Sequence, residues 1–278
     1  MKLYICPTPI GNLEDITLRT INVLKEVDFV AAEDTRRTLS LLNHLEIKKG
    51  LTSYYEHNKD KKGVQIIERI KSGEKCALVS DAGMPGISDP GEDLVKLCIK
   101  ENVEFEVLPG PVAFITALVG SGLDTTNFYF RGFLSRGKKE KKKELEELKY
   151  QKGTVIFYES PHRIKETLSL ILDILGNRKA CIARELTKKY EEYIRGDIDE
   201  LLLLMQNKES IKGEFVLMIE GSNESKNEED DELIDKYTIK EEIILKMDEG
   251  LSKKDAIKAV SKRRNIKKSE VYKESIDI

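Results

Sequence analysis

Twelve residues, Ser80–Gly91 (SDAGMPGISDPG), constrain the fold more than any other stretch of this chain. They separate KCALV (Lys75–Val79), a short apolar run that reads as a buried strand, from EDLVKLCIKE (Glu92–Glu101), whose apolar residues recur at helical spacing. A strand-to-helix connection in an α/β unit needs about two to six residues, so this one is long. It is also stiff. Gly83, Gly86 and Gly91 permit positive φ and close backbone approach, while Pro85 and Pro90 fix φ. Two carboxylates, Asp81 and Asp89, lie on it. Open α/β sheets bind ligands beyond the carboxyl ends of their strands, so the stretch reads as a binding loop; an ornate turn is the plainer alternative.

The same alternation runs through residues 1–119. Strands are expected at Lys2–Cys6, Phe29–Ala32, Leu51–Tyr55, Lys75–Val79 and Val103–Leu108. Helices are expected from Asp15 as cap to Val27, at Thr38–Leu45, Val64–Ile70 and Glu92–Glu101, and over Val112–Val119. This predicts a mostly parallel α/β domain. After a polar break at Gly120–Thr126, residues 120–221 form a second α/β domain of mixed connections. Its strands are expected at Phe128–Phe133, Thr154–Tyr158, Lys179–Ala183, Glu191–Arg195 and Glu214–Ile219, with helices at Ile164–Leu175 and Ile198–Met205. Residues 222–235 read as an acidic linker. Residues 236–278 read as a helical, helix-turn-helix-like appendage, with helices at Thr238–Glu249, Lys253–Arg264 and Lys267–Ser275.

Charge narrows the function. The net charge of −3 excludes binding of nucleic acid by the whole surface, so an anionic partner needs local basic patches. Residues 136–152 supply one, with eight Lys or Arg against four Glu. The stretch from Leu251 onward supplies another, with nine basic against four acidic residues. The four cysteines are scattered without metal-ligand spacing and read as buried thiols of a reducing cytoplasm. No secretory signal is expected, and no run approaches the roughly 18 apolar residues of a membrane span.

Charged clusters follow the strands at Glu33–Arg37, Ser80–Asp89, Glu159–Arg163 and Arg184–Lys188, which points to a cleft between two sheet edges; salt-bridged loops are the plainer alternative. There is no GxSxG elbow, HExxH, Walker A sequence or GxGxxG after the first strand. His162, after a strand and between Pro161 and Arg163, is the histidine placed to meet a substrate.

Six ordered motifs carry a resemblance: TPIGNLEDIT (Thr8–Thr17), AEDTR (Ala32–Arg36), SDAGMPGISDPG, PGP (Pro109–Pro111), FYESPHR (Phe157–Arg163) and RELTK (Arg184–Lys188). In order and spacing they resemble the ribosomal RNA small subunit methyltransferase I family of the tetrapyrrole-methylase fold, which methylates a cytidine 2′-hydroxyl in the decoding region of 16S rRNA. The resemblance implies two α/β domains, a small C-terminal helical region, a homodimer, and S-adenosylmethionine in the interdomain cleft. It implies cofactor contacts at Ile10, Asp81, Gly83, Met84, Pro85, Val112, Ala113, Tyr158, Leu186 and Phe215. A 2′-hydroxyl needs a proton acceptor, for which Asp34, Glu159 and His162 are the candidates. Arg36, Arg37, Arg163 and Lys188, with Lys138 and Lys139 of the basic stretch, are the candidate RNA contacts. A methylase of the same fold with a tetrapyrrole or other small acceptor, and a non-enzymatic nucleic-acid-binding regulator, are the rival readings.

Overall fold

The computed structural model describes residues 2–208, 210–224, 237–264, 266–276 and 278. The chain divides into two units, Met1–Ser222 and Asn223–Ile278.

The first unit holds two five-stranded sheets. In the first sheet, strands β1 (Leu3–Ile5), β2 (Phe29–Ala32), β3 (Gly50–Ser53), β4 (Cys76–Val79) and β5 (Phe105–Val107) lie in the order β3-β2-β4-β1-β5. Every pairing is parallel. Four helices cover it: α1 (Leu18–Glu26), α2 (Thr35–His44), α3 (Lys59–Lys71) and α4 (Gly91–Lys100). Successive strand residues point to opposite faces, so a strand apolar throughout feeds two cores. In β4, Cys76 and Leu78 meet Ile66, Ile70 and Leu94 of α3 and α4. Ala77 and Val79 meet Leu24 and Leu42 of α1 and α2.

The second sheet contains β6 (Phe128–Phe133), β7 (Thr154–Glu159), β8 (Lys179–Arg184), β9 (Glu192–Asp197) and β10 (Phe215–Ile219), ordered β6-β7-β10-β8-β9. Only β6 and β7 are parallel; the other pairs are antiparallel, as the mixed connections predict. Helices α6 (Lys138–Glu147), α7 (Ile164–Leu175) and α8 (Ile198–Asn207) bury one face. Helix α5 (Ala113–Ser121) buries the other through Phe114, Ala117 and Leu118. The expected boundary at 119/120 therefore falls inside a helix that serves the second sheet. Arg195 Nε and the Tyr193 hydroxyl of β9 fasten it by donating to the carbonyls of Ser121 (3.0 Å) and Thr116 (3.3 Å).

Three local expectations are corrected. Helix α1 is capped by Thr17, whose hydroxyl accepts from Thr20 N, and Asp15 instead closes a 3₁₀ turn at Leu13–Asp15. Helix α2 starts at Thr35, with Asp34 as its cap. The Lys-rich segment forms α6, where Lys141 is fully buried, its Nζ 3.4 Å from both Glu166 Oε2 and Thr167 Oγ1. All four cysteines are buried and free.

The second unit packs helices α9 (Ile239–Asp248), α10 (Lys253–Arg263) and α11 (Lys268–Glu274) around Ile243, Ile257, Val260 and Val271. Arg263 and Arg264 pair with the buried Glu242 at 2.5 Å each, so these two cations of the basic tail neutralise an internal carboxylate. Residues 225–235 of the expected linker lie outside the described residues.

Candidate functional site

The carboxyl edge of the first sheet is tied together by backbone. Thr8 N donates to Gly83 O at 2.9 Å and Gly83 N to Thr8 O at 3.0 Å, so the loop after β1 runs against the Gly/Pro loop after β4. Gly83 has φ +80°, and a Cβ there would stand 3.2 Å from Ile10 Cγ2. The turn that follows is held by Asp89, whose Oδ1 accepts from Gly86 N (2.8 Å) and Gly91 N (2.7 Å). A Cβ on Gly91 would lie 2.6 Å from Gly86 N, which explains glycine at the end of the loop. The loop after β1 also reaches the second sheet, because Asn12 N donates to Thr187 Oγ1 at 2.9 Å. Of the five non-glycine residues with positive φ among those described, Ser88, Glu185 and Thr187 lie in these facing loops. Strain of that kind gathers at ligand sites.

Between the loops opens a cavity of about 330 Å³. Ile10, Ala113, Leu186, Phe215 and Val216 give it an apolar floor. Tyr158 adds an aromatic wall, its ring 5.0 Å from Phe130, and burial pushes its phenol up to about 12. The polar side carries five carboxylates, Glu33, Asp81, Asp89, Glu159 and Glu214, against one guanidinium, Arg37. Burial, together with the charges of Asp81 and Asp89, raises the Glu33 carboxyl above its ordinary range. Burial likewise raises Asp89, against the lowering effect of its backbone donors.

Of the expected cofactor residues, Ile10, Asp81, Ala113, Tyr158, Leu186 and Phe215 line the cavity. Gly83, Met84, Pro85 and Val112 do not: Met84 packs against the first core and Val112 is the N-cap of α5.

The candidate proton acceptors fare differently. Asp34 is turned away and grips Arg36, accepting from Nε at 3.0 Å and Nη2 at 2.7 Å. Those bonds lower its carboxyl to about 2, which makes it a poor base. Glu159 lines the cavity but is spent on structure: Oε2 accepts from Thr167 Oγ1 at 2.6 Å and Oε1 from Ser160 N at 2.8 Å, with Arg163 Nε at 3.4 Å. His162 is exposed and outside the lining.

Among the candidate RNA contacts, Arg37 lines the cavity, while Arg36 is exposed but paired with Asp34. Arg163 points inward, donating to Leu134 O at 2.7 Å. Lys188 bonds to Glu185 and Glu214 at 3.0 Å each. Lys138 and Lys139 stand exposed on α6. The lining also includes Glu33, Ser80 and Ser160, which the sequence places in its charged clusters without singling them out, and Glu214, which it passes over. For Glu33 a signal existed: Asp34 ahead of Thr-Arg-Arg reads as an N-cap, which leaves Glu33 as the free carboxylate of that cluster.

Residues 2–202 match the model of the "Tetrapyrrole (Corrin/Porphyrin) Methylases". The chain is 52% identical over 270 residues to "Ribosomal RNA small subunit methyltransferase I" of Bacillus subtilis (strain 168), covering 97% of this chain and 92% of the relative. It is 53% identical over 224 residues to the protein of that name from Hydrogenobaculum sp. (strain Y04AAS1), covering 80% of this chain and 97% of the relative. Solved structures share the fold at low identity. "Uroporphyrin-III C-methyl transferase from Thermus thermophilus complexed with S-adenyl homocysteine" superposes with a TM-score of 0.57 at 15% identity, over 78% of this chain and 97% of that one. "The methyltransferase CobJ" superposes with a TM-score of 0.60 at 16% identity, over 80% and 94%.

Proposed function

Because the chain belongs to the tetrapyrrole methylase family, and within it to the ribosomal RNA small subunit methyltransferase I group, we propose that it methylates 16S rRNA with S-adenosylmethionine. The acceptor in this reading is a cytidine 2′-hydroxyl of the decoding region, reached in the small ribosomal subunit or its RNA. The observation that carries it is the character of the cavity: an apolar floor facing a side where Glu33, Asp81 and Asp89 outnumber Arg37, with Glu159 and Glu214 paired to Arg163 and Lys188. A sulfonium cation attached to an apolar, aromatic nucleoside suits that surface on both counts.

When bound, S-adenosylmethionine supplies an activated methyl group. The chain's own residues do the rest. Leu186, Phe215 and Val216 exclude water from the apolar half, and the carboxylates favour positive charge at the polar half. Glu33 and Asp81 take over the proton-acceptor candidacy from Asp34, Glu159 and His162. Both face the cavity, and the Glu33 carboxyl holds its proton more tightly than an ordinary glutamate.

The test is transfer of radiolabelled methyl groups to small subunits purified from cells lacking this activity, followed by nucleoside analysis. Label in 2′-O-methylcytidine is the expected result. Label on a base or on a porphyrinoid, or no label at all, rejects it.

A further inference from the structure

A second chamber of about 380 Å³ adjoins the first, bounded by the loop after β1, one face of α2 and Lys188. Ile10, Arg37, Ser80, Asp81, Ala82 and Glu214 line both, so they form a shared wall. The two chambers differ in charge. In the second, Arg37 and Lys188 face Asp81 and Glu214, and the hydroxyls of Thr38 and Ser40 and the His44 ring add further polar groups. Glu33 and Asp89 belong to the first chamber alone and repel an anion there, whereas the second lacks them and presents the exposed Arg37, with Lys188 held by Glu185 and Glu214.

Resting on the ribose methylation proposed above, we infer that the second chamber receives the acceptor as a single unpaired ribonucleotide, with Arg37 drawing its phosphate and Asp81 taking the ribose proton at the shared wall. A space of this size holds one nucleotide and not a paired duplex. A nucleotide already unpaired or easily unstacked is the one that reaches such a site. Asp81 is placed for the role. Its Oδ1 accepts from Asp34 N at 2.9 Å, which fixes the carboxylate, and its Oδ2 has, among the described residues, the loose contact with Arg37 Nη1 at 3.5 Å. The Arg37 side chain is 63% exposed, so it can turn to a phosphate, which its guanidinium binds bidentately. That turn frees Oδ2. Phosphate recognition and release of the base are then one movement. In the transfer, the ribose oxygen bonds to the methyl carbon as the carbon–sulfur bond breaks, its electron pair remaining on sulfur. The hydroxyl proton passes to Asp81 Oδ2 and then to solvent.

Ser40 is exposed on α2 and lines the second chamber but not the first. Ser40→Trp should fill the second chamber, keep S-adenosylhomocysteine affinity within about twofold by calorimetry, and lower kcat/KM for small subunits at least tenfold. Near-wild-type transfer by this variant overturns the inference. Should it lose cofactor affinity as well, cross-linking decides. An oligoribonucleotide with a photoreactive 4-thiopyrimidine at the acceptor position is irradiated with the full wild-type chain and S-adenosylhomocysteine. Adducts within residues 37–44 support the chamber; adducts confined to other segments refute it. If the wild-type chain transfers no label to rRNA, the activity proposal fails on its own, and the adduct map still reads whether this chamber takes a nucleotide.

Discussion

At the scale of single residues, Glu33 and Glu159 are contrasting carboxylates on one cavity. Glu33 is raised by burial and by Asp81 and Asp89. A carboxyl raised in the folded state contributes stability below the ordinary carboxylate range and loses it as pH rises through the folded value. Glu33→Gln should therefore match the wild type at acid pH and become more stable than it as pH rises through the carboxyl's folded value, measured by urea denaturation. The same change should weaken S-adenosylmethionine ~3- to 10-fold while altering the uncharged thioether product less, because it removes a charge facing the sulfonium. Calorimetry with both ligands checks that ratio. Glu159 is 3% exposed and depends on Thr167. Thr167→Val leaves a buried carboxylate oxygen without its donor and should cost about 1–3 kcal/mol, seen as a lower denaturation midpoint.

At the scale of elements, α6 carries exposed positive charge next to a buried lysine. Lys138→Glu with Lys139→Glu should lower RNA affinity, and each phosphate that is no longer neutralised should reduce the slope of log K against log salt by about 0.7. Filter binding at several salt concentrations measures it; an unchanged slope removes α6 from the RNA surface. The helix also marks the limit of pattern reading. Its core-facing stripe is Lys141, Leu145 and the following Leu148, and a lysine at the first position hides the period. Where periodicity was clean, as in Phe29–Ala32 and Ile164–Leu175, the elements have the bounds that the sequence predicts. Caps were harder: Asp15 and Thr17 are both good capping residues two positions apart, and local rules do not choose between them. The loops that build the cavity were legible from their Gly, Pro and charged residues. Which carboxylates face inward was not, because Asp81 is fixed by the backbone of Asp34, 47 residues away in sequence.

At the scale of the whole molecule, the first unit contains four of the five apolar cores among the described residues, and both chambers. A chain ending at Ser222 should therefore unfold in one transition and bind S-adenosylhomocysteine within about twofold of the full chain. Calorimetric scans and titrations test both, and loss of binding would show that the terminal helices complete the site. Sedimentation of the full chain tests the expected homodimer.

The four cysteines are distributed through both sheets and their helices, every one buried, with Cys6 pushed up to about 12 and Cys98 and Cys181 to about 11. A protonated sulfur that solvent cannot reach is inert to maleimides and iodoacetamide. Alkylation should thus proceed only as fast as the native structure opens. Four native probes then report opening at four places without any engineered label, and a ligand that tightens the molecule announces itself as slower alkylation.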